Sequence, residues 1–364
     1  MRITHITYTY FPLVGGGDVY AENLRQALDA RGHAQVVLAR RSGESAPWFV
    51  PVPNPLRGLP GEFWTHTLGL VARRGVLRDQ DVIIAHYPIY ALAAMRLGEG
   101  AKVVGISHGV TWDDRPGAIR SRVKRALARG AFRRCDAFVA NDSNFLREMG
   151  LDVAPGHRLF EEVAPRRWFV PNCVDVEQFR PGNGWDHLRS LHPIVVPRNL
   201  FFNRGVHLAI AAFARFLPAH PDSRLVVIGA AGQRRYVRFL RHLVRRLNLR
   251  EEVLFWGPVP HAEMPAAYAS AEMVLIPSVA GEGTSLSALE AMACGAATIS
   301  TDIGGLVDLP TQQCPPNPTA IARVMGEVYE RRAEIGAHQR EAVLATFTRQ
   351  RWEDAWARVI ESVA

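Results

Sequence analysis

Glu282 and Glu290, with seven residues between them, are the pair in this 364-residue chain whose type and spacing could do chemistry. On a continuous helix they would be separated by roughly 12 Å of rise and point about 80° apart. The acid and base of a glycosidase stand roughly 5 to 9.5 Å apart, so this spacing does not suit that reaction. It suits holding two ends of one long, hydroxyl-rich ligand. A plain helix with one buried, satisfied Glu and one exposed Glu fits the same spacing.

Other residues could join them. Arg198 follows an apolar run, Ile194 to Val196, and Arg204 precedes a helical pattern from Val206 to Phe216. In an Arg-rich chain two such residues can be plain surface charges. A strand end and a helix start, however, are where phosphate is bound. His86 and His108 each end an apolar strand, Val82 to Ala85 and Val103 to Ile106. The carboxyl ends of parallel strands are where α/β proteins bind ligands, although a lone His is more often structural.

The elements that must position these residues can be read from periodicity. Met273 to Ile276 reads as a buried strand, Pro277 with Gly281 and Gly283 forces a loop, and Leu286, Leu289 and Ala293 are helical up to a stop at Gly295. The free N–H groups near Ser285 and Leu286 would then face an anion. At the other end, Ile3 to Tyr8 is a strand, Gly15-Gly16-Gly17 a turn, Val19 to Ala30 a helix ended near Gly32, and Gln35 to Ala39 a second strand. That is a parallel βαβ opening and not a signal peptide. No G-x-G-x-x-G is present, so no dinucleotide site is expected. Residues 43 to 61, with Pro47, Pro51, Pro53, Pro55 and Pro60, read as a long irregular excursion. Asp136 to Ala140 is a strand, and Trp168 to Val170 is the last strand of the first half. Pro181-Gly182-Asn183-Gly184 is the linker expected. Strands at Leu225 to Ile228, Val253 to Trp256 and Thr298 to Thr301 and a helix from Ala320 to Ala345 make up the second half. Thr298 to Thr301 is the last clear strand, and residues 310 to 318 are Pro-rich.

With these residues in hand, the chain resembles glycosyltransferase family 4, retaining enzymes of GT-B fold. Glu282 and Glu290 stand at the two positions of the E-x7-E signature, followed by Ala291-Met292-Ala293-Cys294-Gly295. Gly16 and Gly17 match the Gly-Gly of the family's first loop, and Arg31-Gly32-His33 its usual R-G-H. His108-Gly109, Pro171-Asn172-Cys173-Val174-Asp175 and Gly257-Pro258-Val259 match further motifs in order. The resemblance implies two Rossmann-like parallel-sheet α/β domains facing each other across a cleft. They would span 1–180 on the acceptor side and 181–348 on the nucleotide-sugar side, with the helix 349–364 crossing back onto the first. By the same resemblance Glu282 and His108 contact the reacting sugar. Arg198, Arg204, Ser285, Leu286, Gly16 and Gly17 hold the donor diphosphate, and Glu290, Gly257 and Val259 the ribose and base. Several positions depart from the pattern: Thr284-Ser285 for Phe-Gly, Cys173 and Pro197 for Gly, Asp308 for Glu and Arg204 for Lys.

The implied reaction takes a sugar from a UDP- or GDP-sugar to an acceptor hydroxyl, with no metal and no other cofactor. The acceptor would be a lipid-linked saccharide in envelope polysaccharide synthesis. A small natural product is the alternative acceptor, and an epimerase or a silent sugar-nucleotide binder the alternative function. A phosphorylase would need a lysine in the second half, but Lys102 and Lys124 both lie in the first.

Composition sets bounds on this. A chain of 364 residues is long for one core. The net charge of +8 comes almost wholly from Arg and permits an anionic partner, but no nucleic-acid motif is present. Residues 115 to 134 read as a basic amphipathic helix with Ile119, Val123, Ala126 and Leu127 as its apolar stripe, in the ordinary reading a solvated helix packed on the sheet; the resemblance, many of whose members dock on anionic membranes by their first domain, raises weak contact with an anionic membrane as the alternative. The four cysteines are scattered, and no apolar run reaches the roughly 18 residues of a membrane span. A cytoplasmic protein, peripheral on the inner face of the membrane, is expected. Asp113-Asp114 is a bare pair and not a metal motif.

Overall fold

The structure, a computed structural model, describes residues 1–10, 15–40, 46–54, 61–113 and 117–364. The chain forms two units, Met1–Asn172 with Gln350–Ala364, and Cys173–Arg349.

The first unit carries eight strands: β1 (Arg2–Ile6), β2 (Ala34–Arg40), β3 (Phe49–Val52), β4 (Val82–Ala85), β5 (Lys102–Ser107), β6 (Ala137–Ala140), β7 (Glu161–Ala164) and β8 (Arg167–Phe169). Their order is β3-β2-β1-β4-β5-β6-β8-β7. Only the edge pair β7 and β8 is antiparallel. Parallel strands are covered on both faces, which is why β4 and β6 are buried at every position. The order reverses between β1 and β4, and the carboxyl ends at such a reversal open a ligand crevice. The helix Gly16–Asp29 starts inside the glycine triplet, where Asp18 ties the turn: its Oδ2 accepts from Gly15 N at 3.0 Å and its Oδ1 from Thr9 Oγ1 at 2.7 Å.

Three expectations change here. The excursion at 43–61 contains a strand, β3, which pairs in parallel with β2. It lies at the sheet edge, where Pro51 costs no ladder bond. Pro55 and Pro60 lie outside the described residues, as do Asp114 and Arg115. The edge strand β7 was not expected at all. The helix Ile119–Arg134 packs through Ser121, Ala128, Ala131 and Phe132. Most of the stripe read from the sequence is turned outward instead, with Ile119 80% and Val123 47% exposed and Ala126 exposed, while Leu127 is half-buried. Small Ala128 and Ala131 let this helix lie close against Pro88–Leu97, which larger side chains would prevent.

The second unit carries β9 (Pro193–Pro197), β10 (Arg224–Ile228), β11 (Val253–Gly257), β12 (Met273–Ile276), β13 (Thr298–Thr301) and β14 (Gln312–Cys314). All are parallel, in the order β11-β10-β9-β12-β13-β14. The reversal falls between β9 and β12. β14 corrects the reading of 310–318: a short strand between the prolines adds to β13 with Ile299 opposite Gln312. The expected helix 320–345 is two, Pro318–Glu330 and Arg332–Thr346, broken at Arg331.

The boundary lies at Asn172/Cys173 and not at 180/181. Residues 173–180 pack into the second unit: Val174 N donates to Phe347 O at 2.9 Å, and the Phe179 ring lies 5.2 Å from that of His261. The last helix, Arg349–Glu361, belongs to the first unit from Gln350 onward. Trp352 and Trp356 are 1% and 0% exposed, and Trp356 Nε1 donates to Tyr20 Oη at 3.0 Å. Burying a Trp side chain is worth about 4 to 6 kcal/mol at ~25 cal/mol/Å2, so these two rings anchor the segment. Among the described residues no helix is long and apolar enough to cross a membrane.

Candidate functional site

The reversal point of the second sheet gathers the charged residues. Arg198 leaves the end of β9 and Ser278 the end of β12, and the two strands are neighbours. Two glycines let the surrounding loops close up. At Gly205 φ is +69°, and a Cβ would lie 1.7 Å from Pro277 O; at Gly304 φ is +57°, and a Cβ would lie 2.2 Å from Glu282 O. Neither position accepts another residue without moving backbone.

Glu282, 5% exposed, sits in this loop and not on the helix, which begins only at Leu286. The continuous-helix spacing of the two glutamates therefore does not hold. Arg198 Nη2 lies 3.2 Å from Glu282 Oε1, and Arg204 Nη1 contacts Oε2. Ser278 Oγ donates to Oε2 at 2.7 Å and receives a hydrogen bond from Arg198 Nη2 at 3.2 Å. Burial alone would push the Glu282 carboxyl up, but the Arg198 and Arg204 charges and the Ser278 hydrogen bond outweigh it and hold it below the ordinary range. Burial pulls the Arg198 guanidinium down, offset in part by Glu282.

Charge bookkeeping is the notable feature of this cluster. Two guanidinium groups share one carboxylate, and neither forms another ion pair among the described residues. Arg198 is only 6% exposed, so an excess positive charge is held largely out of water. Arg198 Nε and Ser285 Oγ are buried and have no partner among the described residues. Ser285 is the residue before the helix Leu286–Ala293, and its side chain does not cap that helix. Buried donors left over beside a positive cluster are what an anionic ligand would satisfy.

Glu290, 6% exposed, lies on that helix and is bound by two residues that the sequence reading missed. His261 Nε2 lies 2.8 Å from Oε1, and Tyr268 Oη donates to Oε2 at 3.0 Å. The hydrogen bond to Glu290 raises the His261 pKa against the pull of burial. Burial and then Glu290 push the Tyr268 phenol well up, so it stays protonated and donates. Gly257, at φ +91°, ends β11, and the chain runs through half-buried Val259 to His261. His261 thus closes the stretch that contains the expected Gly257 and Val259. Ser278, next to the loop-opening Pro277, was not singled out either.

In the first unit Gly16 and Gly17 open the helix Gly16–Asp29, and a Cβ on Gly17 would stand 3.4 Å from Tyr87 Oη. His108 follows β5, edge-on to the Tyr20 ring at 4.8 Å and parallel to His86 at 5.6 Å. The residue as a whole is half-buried, and burial pushes its pKa down to about 4, so it is neutral at pH 7. His108 Nε2 is buried and has no partner among the described residues. His86 is fully buried, in a hydrogen-bonded chain. Gln35 Nε2 donates to His33 O at 3.1 Å, which leaves Oε1 to accept from His5 Nε2 at 2.8 Å. His5 Nδ1 then accepts from His86 Nε2 at 3.3 Å. That fixes the tautomers of His5 and His86, and gives His86 a supporting place under His108.

Comparison with known proteins bears on the family and the fold. The description "Glycosyltransferase Family 4" matches residues 14–178, and "Glycosyl transferases group 1" matches residues 192–332. Between them these models take in most of the chain, which belongs to the family-4 glycosyltransferases of GT-B fold. An exopolysaccharide phosphotransferase of Streptomyces coelicolor is 37% identical over 142 residues, 39% of this chain and 14% of that protein. A D-inositol 3-phosphate glycosyltransferase of Segniliparus rotundus is 26% identical over 330 residues, 80% of this chain and 70% of the relative. This chain therefore spans only a small part of the first relative. Among solved structures, sucrose-phosphate synthase from Thermosynechococcus elongatus matches with a TM-score of 0.84 at 19% identity, covering 100% of this chain and 98% of the other. Anabaena HepE in complex with UDP and glucose matches with a TM-score of 0.76 at 17% identity, covering 100% of both. At such identities the likeness is one of fold.

Proposed function

We propose that this chain transfers a sugar from a nucleotide-diphospho-sugar, UDP- or GDP-linked, to an acceptor hydroxyl with retention at the anomeric carbon. The observation that carries the reading is the buried cluster of Arg198, Arg204 and Glu282, which has one positive charge in excess and unpartnered donors beside it. A diphosphate answers both features. As the bond from the anomeric carbon to the diphosphate oxygen breaks, charge develops on that oxygen. Arg198, Arg204 and the helix start at Ser285 and Leu286 stabilise it, so the reading needs no metal. The acceptor oxygen bonds the same face of the anomeric carbon, and its proton passes to the departing diphosphate. Glu282 holds sugar hydroxyls, and Glu290, held by His261 and Tyr268, receives the ribose.

The acceptor in this reading is a lipid-linked saccharide of envelope polysaccharide synthesis. The exopolysaccharide relative lends support by its name. The protein then works in the cytoplasm against the membrane. Exposed Ile119 and Val123, set among Arg120, Arg122 and Arg125, give the helix Ile119–Arg134 an outward face of the right chemistry. Weak binding to anionic vesicles, lost as salt is raised, is expected in a sedimentation assay; no binding at low salt removes the membrane contact.

A thermal-shift panel of UDP-, GDP-, ADP- and dTDP-sugars tests the donor site. One nucleotide should raise the midpoint of the wild type and fail to do so in Glu290→Ala. No shift at millimolar concentration with any of the four would sink the donor assignment.

A further inference from the structure

The helix Arg234–Arg246 of the second unit carries six arginines and no acid. Tyr236, Leu240 and Val244 lock it into the core, so its outer face is held rigidly. Arg234, Arg238, Arg241 and Arg245 follow at steps of one helical turn, which places them in one line along roughly 16 Å of helix. A cavity of about 550 Å3 runs beside that line, bounded by Ala231, Gly232, Arg234, Val237, Arg238 and Arg241. It shares no lining residue with the cluster around Glu282 or with the partners of Glu290.

A charged helix face is ordinarily just solvated, but here the charge is unopposed. From Arg198 to Arg250 the sequence has a single acid, Asp222. None of the six arginines forms a side-chain hydrogen bond or ion pair with a described residue, Glu251 and Glu252 after Arg250 included. Like charges one turn apart repel, and Arg234 and Arg235 in the first turn oppose the helix dipole, so a negative partner on this face relieves the helix.

Apolar surface borders the line. Phe202 and Phe239 are 56% and 46% exposed. Phe202 stacks on His207 at 5.0 Å and meets Tyr236 edge-on at 5.7 Å, and Phe239 lies 6.2 Å from the same Tyr236. Each ring is ordered on its inner side and bare on its outer one. Phe201, also exposed, borders the cavity: a Cβ on Gly232 would stand 2.8 Å from its ring. Bare rings beside unpaired arginines mark an interaction surface.

We infer that this face of the second unit docks on an anionic phospholipid surface, with lipid phosphates along the arginine line, one headgroup in the cavity, and Phe201, Phe202 and Phe239 at the acyl boundary. A soluble acidic polymer would account for the arginines alone. A bilayer accounts for the rings as well, since aromatic side chains settle at its headgroup level and a row of arginines gathers its anionic lipids. This surface stands apart from the contact given above to Ile119–Arg134: it lies in the other unit, and it needs neither that contact nor the transfer reaction.

The test is vesicle sedimentation of the full chain, with phosphatidylcholine alone and mixed with phosphatidylglycerol. Wild type should bind the mixed vesicles, bind phosphatidylcholine far less, and come off as salt is raised. Each Arg near an anionic leaflet strengthens binding about fivefold, so Arg234→Gln, Arg238→Gln, Arg241→Gln and Arg245→Gln combined should weaken it about a hundredfold or more. These side chains are exposed and unpaired among the described residues, so the thermal midpoint should not fall. Phe202→Ser with Phe239→Ser should weaken vesicle binding about tenfold, by the ring surface no longer withdrawn from water, and leave binding to heparin, a soluble polyanion, unchanged. Loss in the four-arginine variant together with weakening in the phenylalanine variant supports the inference. A four-arginine variant that binds as the wild type does overturns it; if Ile119→Ser with Val123→Ser then loses binding, the contact of Ile119–Arg134 stands alone. A phenylalanine variant that binds vesicles as the wild type does, or a wild type that prefers a single-stranded oligonucleotide to the vesicles, assigns the face to a soluble polyanion and overturns the lipid reading. No vesicle binding at low salt overturns both membrane contacts.

Discussion

Glu282→Ala should lose transfer by about a hundredfold to a thousandfold or more, the range seen when a group that acts on the transition state is removed, while nucleoside diphosphate still binds. In the proposed reading the two effects separate because Glu282 and the phosphate would share the same guanidinium groups. The carboxylate contacts Arg198 Nη2 and Arg204 Nη1 together. Removing it frees both for phosphate and removes the group that would hold the sugar. The variant also leaves Arg198, 6% exposed, without its ionic partner. Breaking a buried pair in this way costs about 3 to 5 kcal/mol, so a lowered midpoint is expected. Nucleoside diphosphate should restore part of that midpoint, because it supplies the missing negative charge. Glu282→Gln is the companion variant: it keeps the volume and a hydrogen bond to Ser278, and should fold better yet transfer as poorly. Product formation by mass spectrometry and diphosphate binding by calorimetry check the pair. Wild-type turnover in either variant removes Glu282 from the reaction.

The proposed donor site gives a reason for matching one carboxylate with two arginines. A neutral pairing would leave no charge for an anionic ligand, whereas here one positive charge is in excess and Arg198 Nε and Ser285 Oγ have no partner among the described residues. Glu290 is the opposite case. Both its oxygens are taken, by His261 and Tyr268. It is therefore held in one orientation, which in the proposed reading lowers the cost of ordering it when a ribose binds.

Much of this was legible in the sequence because it rests on local pattern. Buried parallel strands are continuous apolar runs, so β4, β9 and β12 could be read directly. Arg198 and Arg204 stood at a strand end and a helix start, and the fold brought both to Glu282. What failed was whatever depends on neighbours. β3 and β14 are short, carry or border prolines, and exist because an edge of a sheet was available to pair with. The packed face of Ile119–Arg134 was misread because Ile and Val outweigh Ala in any apolar count, whereas close helix contact selects Ala128 and Ala131. His261 and Tyr268 lie 29 and 22 residues from Glu290, a pairing that no local spacing encodes.

Arg198→Met should raise the dissociation constant for nucleoside diphosphate by about tenfold to a hundredfold, the worth of one or two hydrogen bonds to a charged group. Arg198→Lys should recover only part of it, because a point charge cannot replace a fork that reaches Glu282 and Ser278 at once. The Met variant also makes a prediction about pH. In the wild type the Glu282 carboxyl lies below its ordinary value, so it contributes stability above the carboxylate range that is lost as pH falls through its folded pKa. Without Arg198, burial has one fewer charge opposing it, and Arg204, whose side chain is 32% exposed, is the better screened of the two. The carboxyl then shifts upward from its wild-type position, and the variant gains less stability than the wild type as pH rises through the carboxylate range. The midpoint gap between wild type and Arg198→Met should therefore narrow as pH falls through the carboxylate range and widen toward pH 7. A gap independent of pH would mean that Arg198 acts by packing alone, and the charge-matched site would have to be given up.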